Sequence, residues 1–156
     1  MSLLRRVVVD TSSLVGAALK RASVPHQALL QALSLGDVCA SAQTWLELEQ
    51  VMQRDRFDAY LGRQARVEFV TMLRQNMHFF AVTKADEAAL EPSCRDARDN
   101  KFLALVQVSQ AHALISSDDD LLVLHPWNDV PVLTPAAFLS LVTGTRAAAA
   151  ATDGLP

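Results

Sequence analysis

At 156 residues, 51% of them hydrophobic, the chain has the size of one ordinary domain and can bury a core without disulfide or metal staples. A net charge of −3 excludes nucleic-acid binding through a broad positive field, so any polyanionic substrate must be held by a local patch and a metal. No run reaches the roughly 20 apolar residues of a membrane span, and Asp10 interrupts what would have to be the uncharged core of a secretory signal, so a soluble, cytoplasmic protein is expected.

In chain order, Val7, Val8 and Val9 form a short apolar run, and Asp10-Thr11-Ser12-Ser13 offers several N-cap candidates ahead of the helical stretch LVGAALKRA. Pro25 opens a second helix, HQALLQALSLG, which Gly36 closes. VCAS is a short strand, and TWLELEQVMQR carries Trp45, Leu48, Val51 and Met52 at helical spacing. Between Ala59 and Asn76, Tyr60, Ala65, Val67, Val70 and Leu73 predict another amphipathic helix. HFFAV is expected as a strand by its aromatic and β-branched content, and Lys84 to Arg98 as irregular and polar. Asp99 is expected to cap the helix NKFLALVQVSQ, which leads through Ala111 and His112 into the strand ALISS. Beyond Asp118-Asp119-Asp120 and LLVL come a strand at residues 130–133 and the helix TPAAFLSLV, with Pro135 in its first turn.

Strands separated by helices require right-handed crossovers, so the fold class is α/β with a mainly parallel sheet covered on both faces. The domain is expected to span residues 1–143. The stretch 144–156 offers no apolar stripe and is expected as a frayed or disordered tail.

In an open α/β sheet, ligands collect beyond the carboxyl ends of the strands. Asp10 follows the strand VVV, Asp118 follows ALISS, and Asp99 opens the helix leading into that same strand. Glu47 lies in the first turns of the helix after VCAS, where its longer side chain can reach back over the sheet edge. Taken singly, Asp10, Asp99 and Asp118 read as helix caps and Glu47 as an ordinary helix residue. Jointly they read as a cluster of carboxylates, which a fold keeps readily only when a cation neutralises it. Oxygen ligands without His or Cys select Mg²⁺ or Mn²⁺, and these ions suit phosphodiester hydrolysis.

At these residues the sequence resembles the PIN-domain family, in blocks that follow one another over about residues 5 to 143. VVVDTSSLVGAAL is similar to the family's opening strand and turn, and SAQTWLELEQVMQRDRF to its second block, which places an acid on Glu47. CRDARDNKFLALVQVSQAHALISSDDDLLVL resembles the third and fourth blocks, with acids at Asp99 and Asp118 and Asp120 as an accessory; VPVLTPAAFLSLV is like the closing strand and helix. Ser12 stands where the family usually has Asn, and Ser117 where a Gly commonly precedes the fourth acid.

The resemblance implies a three-layer α/β/α sandwich and an endoribonuclease whose Asp10, Glu47, Asp99 and Asp118 hold Mg²⁺ or Mn²⁺, with Asp120 as a further ligand and Thr11 and Ser12 as accessories. Many bacterial relatives, the VapC-like toxins among them, are inhibited by a small antitoxin protein, and a homodimer is also implied. The alternative is a non-catalytic PIN-like module that binds RNA or a protein. A phosphatase or receiver with Asp10 as nucleophile fits less well, because the DxD pattern of the one and the late Lys of the other are missing.

Arg54, Arg56 and Lys101 are candidates for contact with an RNA backbone. The competing account of the Arg54, Arg56, Arg63, Arg66 and Arg74 group is a solvated helix face. The four histidines form no constellation, the aromatic residues fall mostly on apolar stripes, and Cys39 and Cys94 are expected as reduced structural thiols.

Overall fold

The computed structural model describes residues 4–153, and side chains as far as residue 144. Strand β1 (Arg6–Val9) is followed by α1 (Thr11–Leu19), α2 (Val24–Leu35), β2 (Asp37–Ala40), α3 (Ala42–Met52), α4 (Arg63–Asn76) and β3 (Met77–Phe79). Then come α5 (Lys84–Ala88), α6 (Asn100–Ser109), β4 (Ala113–Ile115), the single-turn α7 (Asp119–Leu122), β5 (Val132–Leu133) and α8 (Pro135–Asp153). The sheet order is β3-β2-β1-β4-β5, and every pairing is parallel.

Such a sheet is apolar on both faces, and β1 shows how. Val7 and Val9 join a core with Leu14, Leu29, Trp45, Leu48, Leu73 and Phe138, whereas Val8 points the other way into a core with Phe102, Leu103, Leu105 and Leu121. The two cores make the expected three-layer α/β/α sandwich. Chain direction out of the sheet reverses between the neighbours β1 and β4, which creates a crevice at their carboxyl ends. Among the described residues no helix is long and apolar enough to cross a membrane.

Local chemistry fixes the helix starts. Ser23 caps α2 through His26 N–H with Pro25 in the first turn, and Ser41 and Thr44 form a reciprocal capping box at α3. Gly36 does end α2, but its φ of 175° is extended backbone rather than a left-handed cap. It is glycine for another reason: a Cβ there would lie 1.9 Å from the Arg5 carbonyl oxygen, which accepts the Asp37 N–H at 2.7 Å.

Two stretches differ from expectation. The helix expected from Ala59 begins at Arg63, because residues 55–57 form a 3₁₀ turn and Tyr60 stands exposed beyond it. The segment expected to be irregular contains α5, nucleated by a capping box between Thr83 and Asp86. The backbone of α8 continues past Gly144 to Asp153; the side chains from 145 onward, and residues 154–156, lie outside the described residues.

Candidate active site

The crevice between β1 and β4 opens into a cleft of about 370 Å³ lined by Asp10, Thr11, Ser12, Glu47, Asp99 and Asp118, with Arg54, Arg56, Phe57 and Phe102 completing its wall. Four of the five acids singled out in the sequence, Asp10, Glu47, Asp99 and Asp118, therefore face one space. They come from the end of β1, the middle of α3, the start of α6 and the turn after β4.

Asp10 is the most deeply set, 3% exposed. Its Oδ1 accepts from Ser13 N–H at 2.9 Å and from the Ser12 hydroxyl at 3.1 Å, and its Oδ2 accepts from the Ser116 hydroxyl. It is a helix cap and a cleft residue at once. Ser116, fully buried, also accepts the Asp118 N–H at 2.9 Å, so one hydroxyl ties together the two turns that carry Asp10 and Asp118. Sequence reasoning missed Ser116; the signal was a hydroxyl two residues before the fourth acid.

Asp118 also doubles as a cap, accepting from Asp120 N–H at 2.9 Å. Asp99 does not. It stands at the start of α6 with helical φ and ψ and no capping hydrogen bond, which corrects the expectation of a cap. Instead its Oδ2 is buried with no hydrogen-bond donor. Burial first, and then the adjacent Asp118, which can accept a proton from its neutral form and repels its charged form, push the Asp99 carboxyl up to about 7.

Glu47 is held from both sides of the cleft. Thr11 Oγ1 donates to its Oε2 at 2.7 Å, and Lys101 Nζ lies 3.5 Å from the same oxygen. Lys101 also donates to the Arg98 carbonyl, so this candidate RNA contact is engaged within the site. Arg54 and Arg56 are exposed on the cleft rim, with the Arg56 guanidinium 4.8 Å from the Phe57 ring centroid.

The other residues singled out in the sequence lie around the cleft or away from it. Asp120 does not line the cleft; its carboxylate lies 3.5 Å from Arg95 Nε, because the turn of α7 carries it away. Arg66 is no part of a solvated face: it is 1% exposed and paired with Asp58. Ser117 is not among the residues with positive φ, so the turn makes no demand for glycine, and its hydroxyl lies 3.3 Å from that of Ser13. The histidines are used locally: His26, His112 and His125 each accept a backbone N–H through Nδ1, and His78 pairs with Asp37. Both cysteines are free and buried, with their thiols pushed up by desolvation, Cys39 to about 11. The acids share a cleft without converging on one point: among the described residues, no three His, Cys, Asp or Glu side chains are arranged to hold a metal ion.

Comparison with known proteins gives the following. A family model described as PIN domain matches residues 6–120. No curated protein sequence matches the chain significantly. The fold is similar to VapBC2 from Rickettsia felis, solved with a DNA fragment from its promoter, at a TM-score of 0.60 and 9% identity over 83% of this chain and 98% of that one. It is also similar to PAE2754 from Pyrobaculum aerophilum, at a TM-score of 0.57 and 10% identity over 90% and 91% of the two chains. A third similarity is to VapC20 of Mycobacterium tuberculosis, a sarcin-ricin loop cleaving toxin, at a TM-score of 0.52 and 15% identity over 80% and 98%.

Proposed function

This chain belongs to the PIN-domain family, and from that premise we propose that it is a divalent-metal-dependent endoribonuclease, the toxin of a toxin–antitoxin pair. The observation that carries the proposal is that Asp10, Glu47, Asp99 and Asp118, from four separate stretches of chain, line one cleft with Arg54 and Arg56 on its rim. The sarcin-ricin loop cleaved by VapC20 supports RNA as the substrate class, and the VapBC2 assembly supports a small antitoxin as partner. Exposed Leu46, Val67 and Phe79 offer apolar surface for such a partner or for a second copy in a homodimer.

The donor set suits Mg²⁺ or Mn²⁺. All the acids lining the cleft supply oxygen, and Asp99 Oδ2 is a buried acceptor that nothing else satisfies. Asp10, Glu47, Asp99 and Asp118 would hold the ion, and Asp120, turned toward Arg95, would not. When bound, it would supply a Lewis acid that makes a water nucleophilic and offsets charge on the phosphate.

The remaining work falls to the chain itself. Ser13 N–H, Ser12 and Ser116 fix the Asp10 carboxylate in rotation through three hydrogen bonds. Thr11 and Lys101 orient Glu47. Asp99, its carboxyl pushed up to about 7, holds a proton at lower pH and would give it up to bind the ion. Arg54 and Arg56 contact the RNA backbone and set its position without reading bases.

The second account, a PIN-like module that binds without cutting, is favoured by the absence of a converged ligand trio among the described residues. Incubation of the purified protein with total RNA separates the two. Endonucleolytic cleavage that requires Mn²⁺ or Mg²⁺ and stops in EDTA supports the enzyme; RNA binding with no cleavage under any metal supports the module.

A further inference from the structure

The segment joining α3 to α4 is held from below by one side chain. Arg66, in the first turns of α4, is 1% exposed; its Nη1 donates to the Arg54 carbonyl at 3.1 Å and its Nη2 to Asp58 Oδ1 at 2.5 Å. These two acceptors flank the 3₁₀ turn Asp55–Phe57, so a single guanidinium clamps both ends of residues 54–58. That stretch brings Arg54, Arg56 and Phe57 to the wall of the acid cleft. Arg66 itself lies outside the cleft, lining a separate depression of about 450 Å³ together with Trp45, Met52, Val67 and Arg74.

Energetics make this arrangement informative. A guanidinium is costly to desolvate, and an apolar side chain of similar volume often serves stability as well or better. Here the charge is retained although Nε is buried with no partner and the one carboxylate ion-paired to it, that of Asp58, is 59% exposed. What the planar fork provides that an apolar residue cannot is simultaneous hold on a carbonyl and a carboxylate twelve and eight residues away.

We propose that Arg66 is a positioning residue for the substrate: with Asp58 it fixes residues 54–58 and thereby sets where Arg54 and Arg56 meet the RNA backbone. The substrate half of this statement rests on the ribonuclease reading above; the clamp does not. A pair that merely stabilised the fold would lower the melting temperature and leave the properties of the folded protein alone.

Two measurements on wild type, Asp58→Asn, Arg66→Lys and Arg66→Met test it. The first is hydrogen exchange at Phe57, Asp58, Tyr60 and Leu61, whose amides are bonded within the segment. These amides should exchange faster in the variants while those of α6 keep their protection. The second is affinity for a short single-stranded RNA in EDTA at several salt concentrations, with KM and kcat measured in metal. The variants should raise KM at nearly constant kcat, and the logarithmic salt slope should fall by about 0.7 for each phosphate that is no longer neutralised. Arg66→Met should add little once Arg54→Ala and Arg56→Ala are present. Asp58→Asn, at a largely exposed side chain, keeps the test open if Arg66→Met does not fold. Wild-type exchange at 54–61 in Asp58→Asn and Arg66→Lys overturns the clamp, and faster exchange with unchanged RNA affinity and salt slope overturns its role in positioning. A wild type that neither binds nor cuts RNA refutes the ribonuclease reading and with it the substrate half, while the exchange result still decides the clamp.

Discussion

Thr11 Oγ1 donates a 2.7 Å hydrogen bond to Glu47 Oε2, joining the first turn of α1 to the middle of α3 across the mouth of the cleft. A glutamate has three rotatable bonds, and this bond, with Lys101 nearby, holds the carboxylate inward. Thr11→Val should cut the cleavage rate by about 10–100-fold, the usual cost of losing a group that orients a ligand, while destabilising the fold by only about 0.5–1.5 kcal/mol. Thr11→Ser should keep most of the activity. Equal rates for wild type and Thr11→Val would mean that Glu47 needs no such support.

Ser116 should be less replaceable. Its hydroxyl donates to Asp10 and accepts from Asp118 N–H in a fully buried position. Ser116→Ala leaves two groups short of a partner and should cost about 1–3 kcal/mol in a denaturant titration, with a parallel loss of activity. Stability unchanged within error would show that the Asp10 and Asp118 turns are held by other means.

The raised Asp99 carboxyl gives stability a pH dependence with a definite sign. The folded protein keeps this proton up to about pH 7, whereas the unfolded chain releases it near the ordinary value of 3.8. The folded state therefore binds more protons between those values, and the contribution of Asp99 to stability falls as pH rises through that window and stays low above it. Asp99→Asn removes the effect. In EDTA, the variant should gain stability relative to wild type between pH 5 and pH 8, read from urea midpoints at both. Mg²⁺ or Mn²⁺ should reverse the ranking at pH 8, because only the wild type can offer the ionised ligand. An equal difference between the two proteins at both pH values contradicts the assignment.

Gly36 makes a prediction about the fold alone. Its Cβ in Gly36→Ala would meet the Arg5 carbonyl at 1.9 Å, and a backbone atom cannot swing aside as a side chain tip can. The substitution should cost at or beyond the upper end of the usual range of about 1–3 kcal/mol for overpacking, seen as a lower midpoint in thermal melting. A neutral effect would mean that α2 and β1 separate easily at this corner.

The strand-and-helix alternation, and with it the parallel sheet, was legible because Val7-Val8-Val9, VCAS and ALISS are short apolar runs between helical patterns. Asp10 and Asp118 were legible for a related reason, since residues just beyond the ends of parallel strands gather at one sheet edge, whereas Glu47 and Asp99 reach the same cleft from helices. What stayed hidden depends on three-dimensional neighbours. Nothing in the local sequence says that Asp120 turns toward Arg95, or that Asp99 leaves its helix uncapped. Arg66 looks like any charge on an amphipathic helix until Asp58 and the Arg54 carbonyl are placed beside it. Helix α5 starts from a capping box of Thr83 and Asp86 inside a polar stretch that carries no apolar period to announce it.

The central claim is that Asp10, Glu47, Asp99 and Asp118 act as one metal-dependent catalytic site. Its most direct test is the initial rate of RNA cleavage in Mn²⁺ or Mg²⁺ by wild type, Asp10→Asn, Glu47→Gln, Asp99→Asn and Asp118→Asn, each first shown to melt cooperatively. The account predicts that every variant loses about 100-fold or more, since small misplacements of reacting groups cost that much, and that EDTA stops the wild type without unfolding it. Cleavage at the wild-type rate by Asp10→Asn and Asp118→Asn, or cleavage that survives EDTA, would contradict it.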